Sequence, residues 1–91
     1  AGAEVVALDP GGEAWSTEAF VKYLERHMVG GTRALVFLIG GAEGLSEATR
    51  AAARRKWSLS NLTFPHRLAR VILCEQIYRA LSDLRGEPYN K

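Results

Sequence analysis

The stretch from Ala34 to Gly44 reads ALVFLIGGAEG and decides the fold class. Its first six residues are all apolar, which is typical of a strand in a parallel sheet that helices cover on both faces. A glycine-rich loop follows at once, from Gly40 to Gly44. Ser46 then suits the N-cap of a short helix over about residues 47–55. The stretch therefore predicts one strand–loop–helix unit of an α/β domain.

A second unit of the same kind precedes it. Residues 5–8 read VVAL, and the turn sequence Asp9-Pro10-Gly11-Gly12 follows. The apolar run predicts a short buried strand that stops at this turn. Ser16 suits the N-cap of a helix over about residues 17–28, because apolar side chains recur there at helical spacing.

A third unit follows the central one. Residues 57–60 read WSLS and alternate as a strand does, and Pro65 suits the first position of a long helix that ends near Gly86. The middle of this helix is apolar nearly all round, which indicates contacts on more than one side. We therefore expect Ile72 and Leu73 to lie at or near a subunit interface.

Composition and charge fit a single domain over residues 1–91. The chain is 47% hydrophobic and 24% charged, with a formal net charge of +2. The charge is uneven: five acids face two bases in residues 1–31, and ten bases face five acids in residues 32–91. The second part is therefore expected to present a basic face, either as a solvated helix surface or as a surface that binds phosphates.

Other classes of protein and site are disfavoured. One cysteine, Cys74, allows neither an internal disulfide nor a cysteine-rich zinc site, and we find no other cluster at metal-ligand spacing. The longest apolar run, Ala34 to Ile39, is too short to span a membrane, and the N-terminus lacks the pattern of a secretory signal. We expect a cytoplasmic protein with no metal and no membrane partner.

Three loops follow the three predicted strands: Leu8 to Gly12, Gly40 to Gly44, and Leu59 to Phe64. Parallel strands bind ligands at their carboxyl ends, so these loops form the candidate site. The glycines do not fit the dinucleotide or the Walker phosphate signature, and Glu43 would repel a phosphate. The pattern favours a nucleoside ligand without phosphates, such as S-adenosylmethionine, or a loop whose glycines serve only a tight turn.

Four strings in the sequence are more specific. They are Leu35 to Leu45, Leu59 to Arg70 with LTFPH at its centre, residues 75–80 (EQIYRA) and residues 85–91 (RGEPYNK). In this order, they resemble the bacterial RlmH family of 23S rRNA pseudouridine N3-methyltransferases, which belongs to the SPOUT class. The resemblance extends over nearly the whole chain.

The resemblance implies a fold, a reaction and a cofactor site. Members of the family fold as an α/β trefoil knot and work as homodimers. They transfer a methyl group from S-adenosylmethionine to N3 of a pseudouridine in 23S rRNA of the ribosome. Carried over position by position, the cofactor-binding residues would be Leu8, Gly40, Leu59, Ser60, Asn61, Leu62, Thr63 and Phe64.

The resemblance also implies catalytic and RNA-facing positions at Glu75, Arg79, Tyr89 and Lys91. The cations would hold RNA phosphates. Methylation at N3 removes a proton, so the site needs a general base or a group that stabilises the developing negative charge. The sequence departs from the family at Asn90, where members typically have histidine, and asparagine cannot accept a proton near neutral pH.

Family members also begin with additional strands and helices, so we expect a fold that lacks this N-terminal part, in a chain that is naturally short or trimmed. The leading hypothesis is an S-adenosylmethionine-dependent rRNA methyltransferase that works as a homodimer. The alternative is a minimal knotted dimer that binds the cofactor or RNA without catalysis. A generic nucleotide-binding module ranks third, because the sequence has no phosphate signature.

Overall fold

Strands and helices alternate along the chain, as the sequence predicts. The computed structural model describes residues 2–40, 45–60, 62 and 64–87. The elements are β1 (Ala3–Ala14), α1 (Thr17–Val29), β2 (Ala34–Leu38), α2 (Glu47–Ala52), β3 (Arg55–Ser58) and α3 (His66–Leu84). The three strands form one parallel sheet in the order β2-β1-β3. The predicted α/β class with a mainly parallel sheet is confirmed.

The helix boundaries follow from capping residues. The side chain of Ser16 accepts a hydrogen bond from the Ala19 amide, and that of Ser46 accepts one from the Thr49 amide, both at 3.1 Å. These bonds satisfy amides that a helix start leaves unpaired, so both predicted N-caps are confirmed. Pro65 directly precedes α3 as its N-cap residue, one position earlier than predicted.

β1 is longer than the sequence indicates. We predicted that the turn at residues 9–12 would end the strand, but β1 continues to Ala14. Leu8 and Glu13 both pair with Trp57 of β3, so residues 9–12 form an irregular excursion from the sheet. The turn residues therefore displace the strand locally and do not terminate it, because the chain resumes pairing with the same neighbour.

The core is an aromatic cluster between the sheet and the two longer helices. Phe20 of α1 lies 4.5 Å from Trp57 between ring centroids, in a stacked arrangement, and is fully buried. Leu73 and Ala80 of α3 complete this cluster. Truncation of such a buried aromatic side chain typically costs about 3–5 kcal/mol, so Phe20 is a major source of stability.

Two sequence-based expectations about buried faces are corrected. Leu35 and Phe37 of β2 pack against the core, but Val36 on the opposite face is 39% exposed. α2 supplies no second layer, because the structure shows no buried residue in it. Leu73, which we expected near a subunit interface, is only 5% exposed and belongs to the chain's own core, while Ile72 is half-buried.

The exposed apolar side chains of α3 therefore differ from those predicted. They are Leu68 at 46%, Val71 at 63% and Tyr78 at 52% exposure. Within the described ranges, the structure shows no helix with the length and apolar character needed to cross a membrane.

Candidate active site

Strand register brings the first parts of the three loops to one edge of the sheet. Leu8 pairs with Trp57 on one side, and the residue before it pairs with Leu38 on the other. Gly40 and Leu59 each follow two residues after these partners. Because all three strands run in the same direction, Leu8, Gly40 and Leu59 lie at the carboxyl edge, and all three are half-buried.

An ion pair connects the first loop to α2. Arg50 of α2, the helix after the glycine loop, places Nη1 3.4 Å from Asp9 Oδ2. The Asp9 side chain is only 14% exposed, and its other oxygen accepts a hydrogen bond of 3.0 Å from the Gly11 amide. This role of Asp9 was not predicted; an aspartate that precedes Pro-Gly-Gly is the available signal, because its side chain can cap such a turn.

Hydroxyl groups shape the third loop. Ser58 Oγ donates to the Ser60 carbonyl oxygen at 2.9 Å, and Ser60 Oγ accepts from the Leu62 amide at 3.0 Å. These bonds leave the Leu62 side chain 67% exposed, while Phe64 is half-buried. The loop thus offers an apolar side chain beside backbone polar groups, which suits the flat apolar face of a nucleoside.

Glu75 and Arg79 occupy successive turns of α3 and bind each other. Arg79 donates to Glu75 Oε2 from Nη2 at 2.8 Å and from Nε at 3.1 Å. Gln76 donates to the other Glu75 oxygen at 2.9 Å and accepts from Thr17 Oγ1 at 3.2 Å. The pair is therefore fixed beside the N-terminus of α1, the helix that follows β1.

The remaining predicted site residues lie outside the described part of the chain. They are Asn61, Thr63, Tyr89 and Lys91, together with the departure at Asn90. The structure thus places Leu8, Gly40 and Leu59, three of the positions predicted to bind a cofactor, at one edge and pairs Glu75 with Arg79. Across residues 2–40, 45–60, 62 and 64–87, no group of three His, Cys, Asp or Glu side chains could hold a metal ion.

A second polar cluster lies where β1 begins. The Tyr23 hydroxyl donates to Glu4 Oε2, His27 Nε2 lies 3.2 Å from the same oxygen, and Thr32 Oγ1 lies 2.7 Å from His27 Nδ1. The His27 ring also contacts the Tyr23 ring, with centroids 4.6 Å apart. The cluster joins β1 to α1 at the end of the strand that is remote from the loops.

Both acids in this cluster have shifted pKa values. The Tyr23 hydrogen bond is the main cause that lowers the pKa of Glu4, and the nearby guanidinium groups of Arg54 and Arg55 add to it. Burial is the main cause that raises the pKa of Tyr23, and the Glu4 carboxylate raises it further. The cluster therefore stabilises a charged carboxylate and a neutral phenol, as a structural contact would.

Comparison with known proteins shows clear similarity over the chain. A family model described as "Predicted SPOUT methyltransferase" matches residues 1–90. A protein named ribosomal RNA large subunit methyltransferase H from Sorangium cellulosum is 56% identical over 89 residues, which cover 98% of this chain and 61% of that protein. Proteins of the same name from Thioalkalivibrio sulfidiphilus and Heliobacterium modesticaldum are 55% and 51% identical.

These two alignments cover 96% and 94% of this chain, but 55% and 53% of the relatives. The chain thus spans between half and two thirds of the length of the curated relatives that it matches.

Proposed function

We infer the function from one premise: this chain belongs to the SPOUT methyltransferase family. We propose that it acts as an rRNA methyltransferase, with S-adenosylmethionine as methyl donor and N3 of a pseudouridine in 23S rRNA of the ribosome as acceptor. The relatives' name, ribosomal RNA large subunit methyltransferase H, supports the substrate class. The observation that carries the proposal is the register that gathers Leu8, Gly40 and Leu59 at one edge.

The described edge fits the cofactor chemically. The positions proposed to hold it, Leu8, Gly40 and the loop from Leu59 to Phe64, offer backbone groups, apolar side chains and hydroxyls. The predicted positions include no lysine or arginine, and the Asp9 carboxylate beside Leu8 is already paired with Arg50. Such a surface suits a nucleoside that carries a cationic sulfonium and no phosphate. When bound, S-adenosylmethionine supplies an electrophilic methyl group.

The chain's own residues have to position the RNA and manage the N3 proton. We propose that Arg79 holds the substrate, since a guanidinium matches phosphate geometry, and that Glu75 orients Arg79 through the hydrogen bonds of 2.8 and 3.1 Å. The N3 proton is proposed to pass to solvent water, while Tyr89 and Lys91 stabilise the negative charge that develops on the base. An ion-paired carboxylate such as Glu75 is a poor base, so its proposed role is positioning.

We further propose that the chain forms the knotted fold of its family and works as a homodimer in the cytoplasm, where ribosomes are found. The apolar side chains that α3 exposes, Leu68, Val71 and Tyr78, supply a surface for the second copy. A chain of this length buries only roughly 60–65% of the surface that its unfolded form exposes, which favours such an association.

Two measurements test the proposed function. Calorimetry should detect binding of S-adenosylmethionine and no comparable binding of an adenine dinucleotide. Incubation of ribosomes from a strain that lacks the modification with radiolabelled cofactor should label 23S rRNA. Dinucleotide binding without binding of S-adenosylmethionine would refute the assignment.

One observation favours the alternative, a dimer that binds cofactor or RNA without catalysis. Asn90 occupies the position where the family typically has histidine, and its amide cannot accept a proton near neutral pH. If this position limits the rate, Asn90→His should raise methyl incorporation and make it depend on pH near the histidine pKa of about 6.5. Cofactor binding with no incorporation by either protein would establish the alternative.

A further inference from the structure

A shallow pocket of about 250 Å³ lies between the end of β1, the outer side of α1 and the start of β3. Its lining includes Glu13, Trp15, Lys22, Tyr23, Arg26 and Arg55. Pockets that enclose a complete small ligand usually measure about 300–1,000 Å³. This pocket therefore fits one group of a larger ligand better than a whole cofactor.

Cations dominate the pocket. The guanidinium carbons of Arg26 and Arg55 each lie 5.8 Å from the centroid of the Tyr23 ring, so they are separated by no more than twice that distance. In the described ranges, neither Lys22 nor Arg26 has a carboxylate within salt-bridge distance. The pocket thus has more positive charge than its own residues neutralise.

Among the residues that line the pocket, Glu13 is the acid, and its ion pair with Arg55 is weak. The two side chains lie 3.7 Å apart and are 63% and 41% exposed. Exposed pairs of this kind contribute roughly 0–1 kcal/mol, because water screens them. A phosphate oxygen can therefore displace the Glu13 carboxylate from Arg55 at little cost.

Aromatic rings give the pocket a rigid floor. Trp15 is half-buried, and its ring lies 4.8 Å from the Tyr23 ring and 5.1 Å from the Trp57 ring between centroids. Tyr23 is almost fully buried, so the ring over which both guanidinium groups lie is held by the core. Guanidinium groups over an aromatic face keep their hydrogen-bond donors available for an anion.

We propose that this pocket binds a backbone phosphate of single-stranded RNA, as a substrate subsite separate from the site of methyl transfer. The inference rests on the proposed rRNA substrate. Arginine donors match phosphate in pairs, and the partly exposed Trp15 ring offers a surface for the adjoining sugar or base. The pocket extends the substrate contact beyond α3 to the outer side of α1.

The test measures binding of a fluorescent single-stranded RNA to the full chain by anisotropy at several salt concentrations. For Arg26→Gln, we expect several-fold weaker binding and a slope of log affinity against log salt that is smaller by about 0.7, the value for one lost phosphate contact. Arg33→Gln is the matched control, since Arg33 is exposed and lies outside the pocket. Its slope should equal that of the parent chain.

Removal of Glu13, the acid that competes with a phosphate for Arg55, should change RNA affinity in the opposite direction. Glu13→Gln should tighten RNA binding, while Glu25→Gln, which removes an exposed acid of α1 outside the pocket, should change it less. Circular dichroism of each variant should match that of the parent chain.

The outcomes separate this inference from the proposed function. If Arg26→Gln and Arg33→Gln weaken RNA binding equally, the RNA subsite is overturned. It is also overturned if heparin binds as tightly as the RNA and the variants lose heparin affinity to the same extent. Failure of the parent chain to bind the RNA at low salt would also overturn it. Cofactor-dependent labelling of ribosomes tests the proposed function separately, since it measures methyl transfer and not the salt slope.

Discussion

At the scale of single residues, Gly12 has less room for a side chain than Gly2, Gly11, Gly30, Gly31 or Gly86. A Cβ atom on Gly12 would lie 2.5 Å from the Lys56 carbonyl carbon and 2.8 Å from the Trp57 amide nitrogen. Both atoms belong to the backbone of β3, so relief requires the two strands to move apart. Glycine is needed here for close strand approach and not for an unusual backbone angle, because its φ is not in the left-handed region.

We predict that Gly12→Ala lowers the free energy of unfolding by about 1–3 kcal/mol, the usual cost of overpacking. Chemical denaturation followed by circular dichroism measures the change. Gly11→Ala is the control, because its Cβ would meet only Asp9 Oδ1 at an ordinary 3.7 Å. If both variants lose the same free energy of unfolding, close approach of the strands at Gly12 does not explain the effect.

The contact between Tyr23 and Glu4 predicts a dependence of stability on pH. The hydroxyl lowers the pKa of the folded carboxyl below its unfolded value. The ionised Glu4 carboxylate therefore stabilises the folded state fully above the unfolded pKa of about 4.5. This stabilisation is lost as pH falls through the pKa of Glu4 in the folded state. Tyr23→Phe keeps the ring and removes the hydrogen bond, so we expect a loss of about 1 kcal/mol at neutral pH that shrinks in acid.

Urea titrations at several pH values measure this difference. Glu4→Gln and the double variant complete the cycle, which isolates the coupling between the two side chains. Additive effects of the two substitutions at neutral pH would show that the bond contributes nothing. The raised pKa of Tyr23 makes stability depend on pH in the alkaline range. The neutral phenol stabilises the folded state fully below the unfolded pKa of 10, and this stabilisation is lost as pH rises above it.

Residue-level prediction from sequence succeeded where the interaction is local. Ser16 and Ser46 cap the helices that follow them, and each bonds an amide three residues away. The bond between Arg50 and Asp9 joins residues 41 positions apart and was not predicted. Residue types and spacing describe neighbours in the chain, whereas such a contact depends on how distant elements pack.

At the scale of elements, the bond between Arg50 and Asp9 is the side-chain hydrogen bond that the described residues show between α2 and β1. The described structure buries none of the α2 residues, and Arg50 binds Asp9 at 3.4 Å. The pair is partly exposed, so its removal should change global stability by no more than about 1 kcal/mol. Its effect should appear in the position of the glycine loop, which α2 directly follows.

We therefore predict that Arg50→Gln weakens S-adenosylmethionine binding several-fold while the free energy of unfolding changes little. Titration calorimetry and chemical denaturation measure the two quantities. Arg54→Gln is the control, because Arg54 is an exposed cation near α2 that forms no salt bridge in the described residues. If Arg54→Gln lowers cofactor affinity as much, the ion pair does not position the loop.

The sequence predicted all six elements in their correct order, with boundaries shifted by a few residues. β1 and β2 show where it failed. The turn at residues 9–12 predicts a strand end, but pairing with β3 resumes at Glu13. An all-apolar β2 predicts two covered faces, but Val36 is 39% exposed. A local pattern indicates the secondary structure that a segment favours, whereas the packing of the whole chain determines which faces of that segment are buried.

At the scale of the whole molecule, the exposed face of α3 predicts self-association. Val71 is 63% exposed, so Val71→Glu should leave the monomer fold intact and place a charge in the proposed interface. We expect the parent chain to sediment as a dimer at micromolar concentration and the variant as a monomer. Val29→Glu is the control, since Val29 is 83% exposed at the end of α1 and should leave the dimer intact.

A parent chain that sediments as a monomer would contradict the proposed dimer. If both variants remain dimeric, the interface lies elsewhere on the molecule. Substitution of Leu73, which we first expected at this interface, is unsuitable for the test, because Leu73 lies in the core and a charge there would unfold the chain.

Much of the candidate site was accessible from sequence, because parallel strands place their ends together whatever their residues are. Leu8, Gly40 and Leu59 lie at one edge for that reason. The knot is different, since threading leaves no mark on hydrophobic periodicity or composition, and it rests on the family resemblance. The pocket at Arg26 and Arg55 also escaped prediction, because three separate elements contribute to it.

The excursion of β1 has a consequence for how this region can change. Residues 9–12 leave the sheet opposite Trp57 and return to it opposite the same residue. Both anchors are therefore fixed by one neighbour, and Gly12 lies against the β3 backbone, so the exposed tip consists of Pro10 and Gly11. Insertions or deletions at this tip can reshape the first loop of the candidate cofactor site while the strands and helices keep their places, so evolution can adjust ligand fit here without refolding the domain.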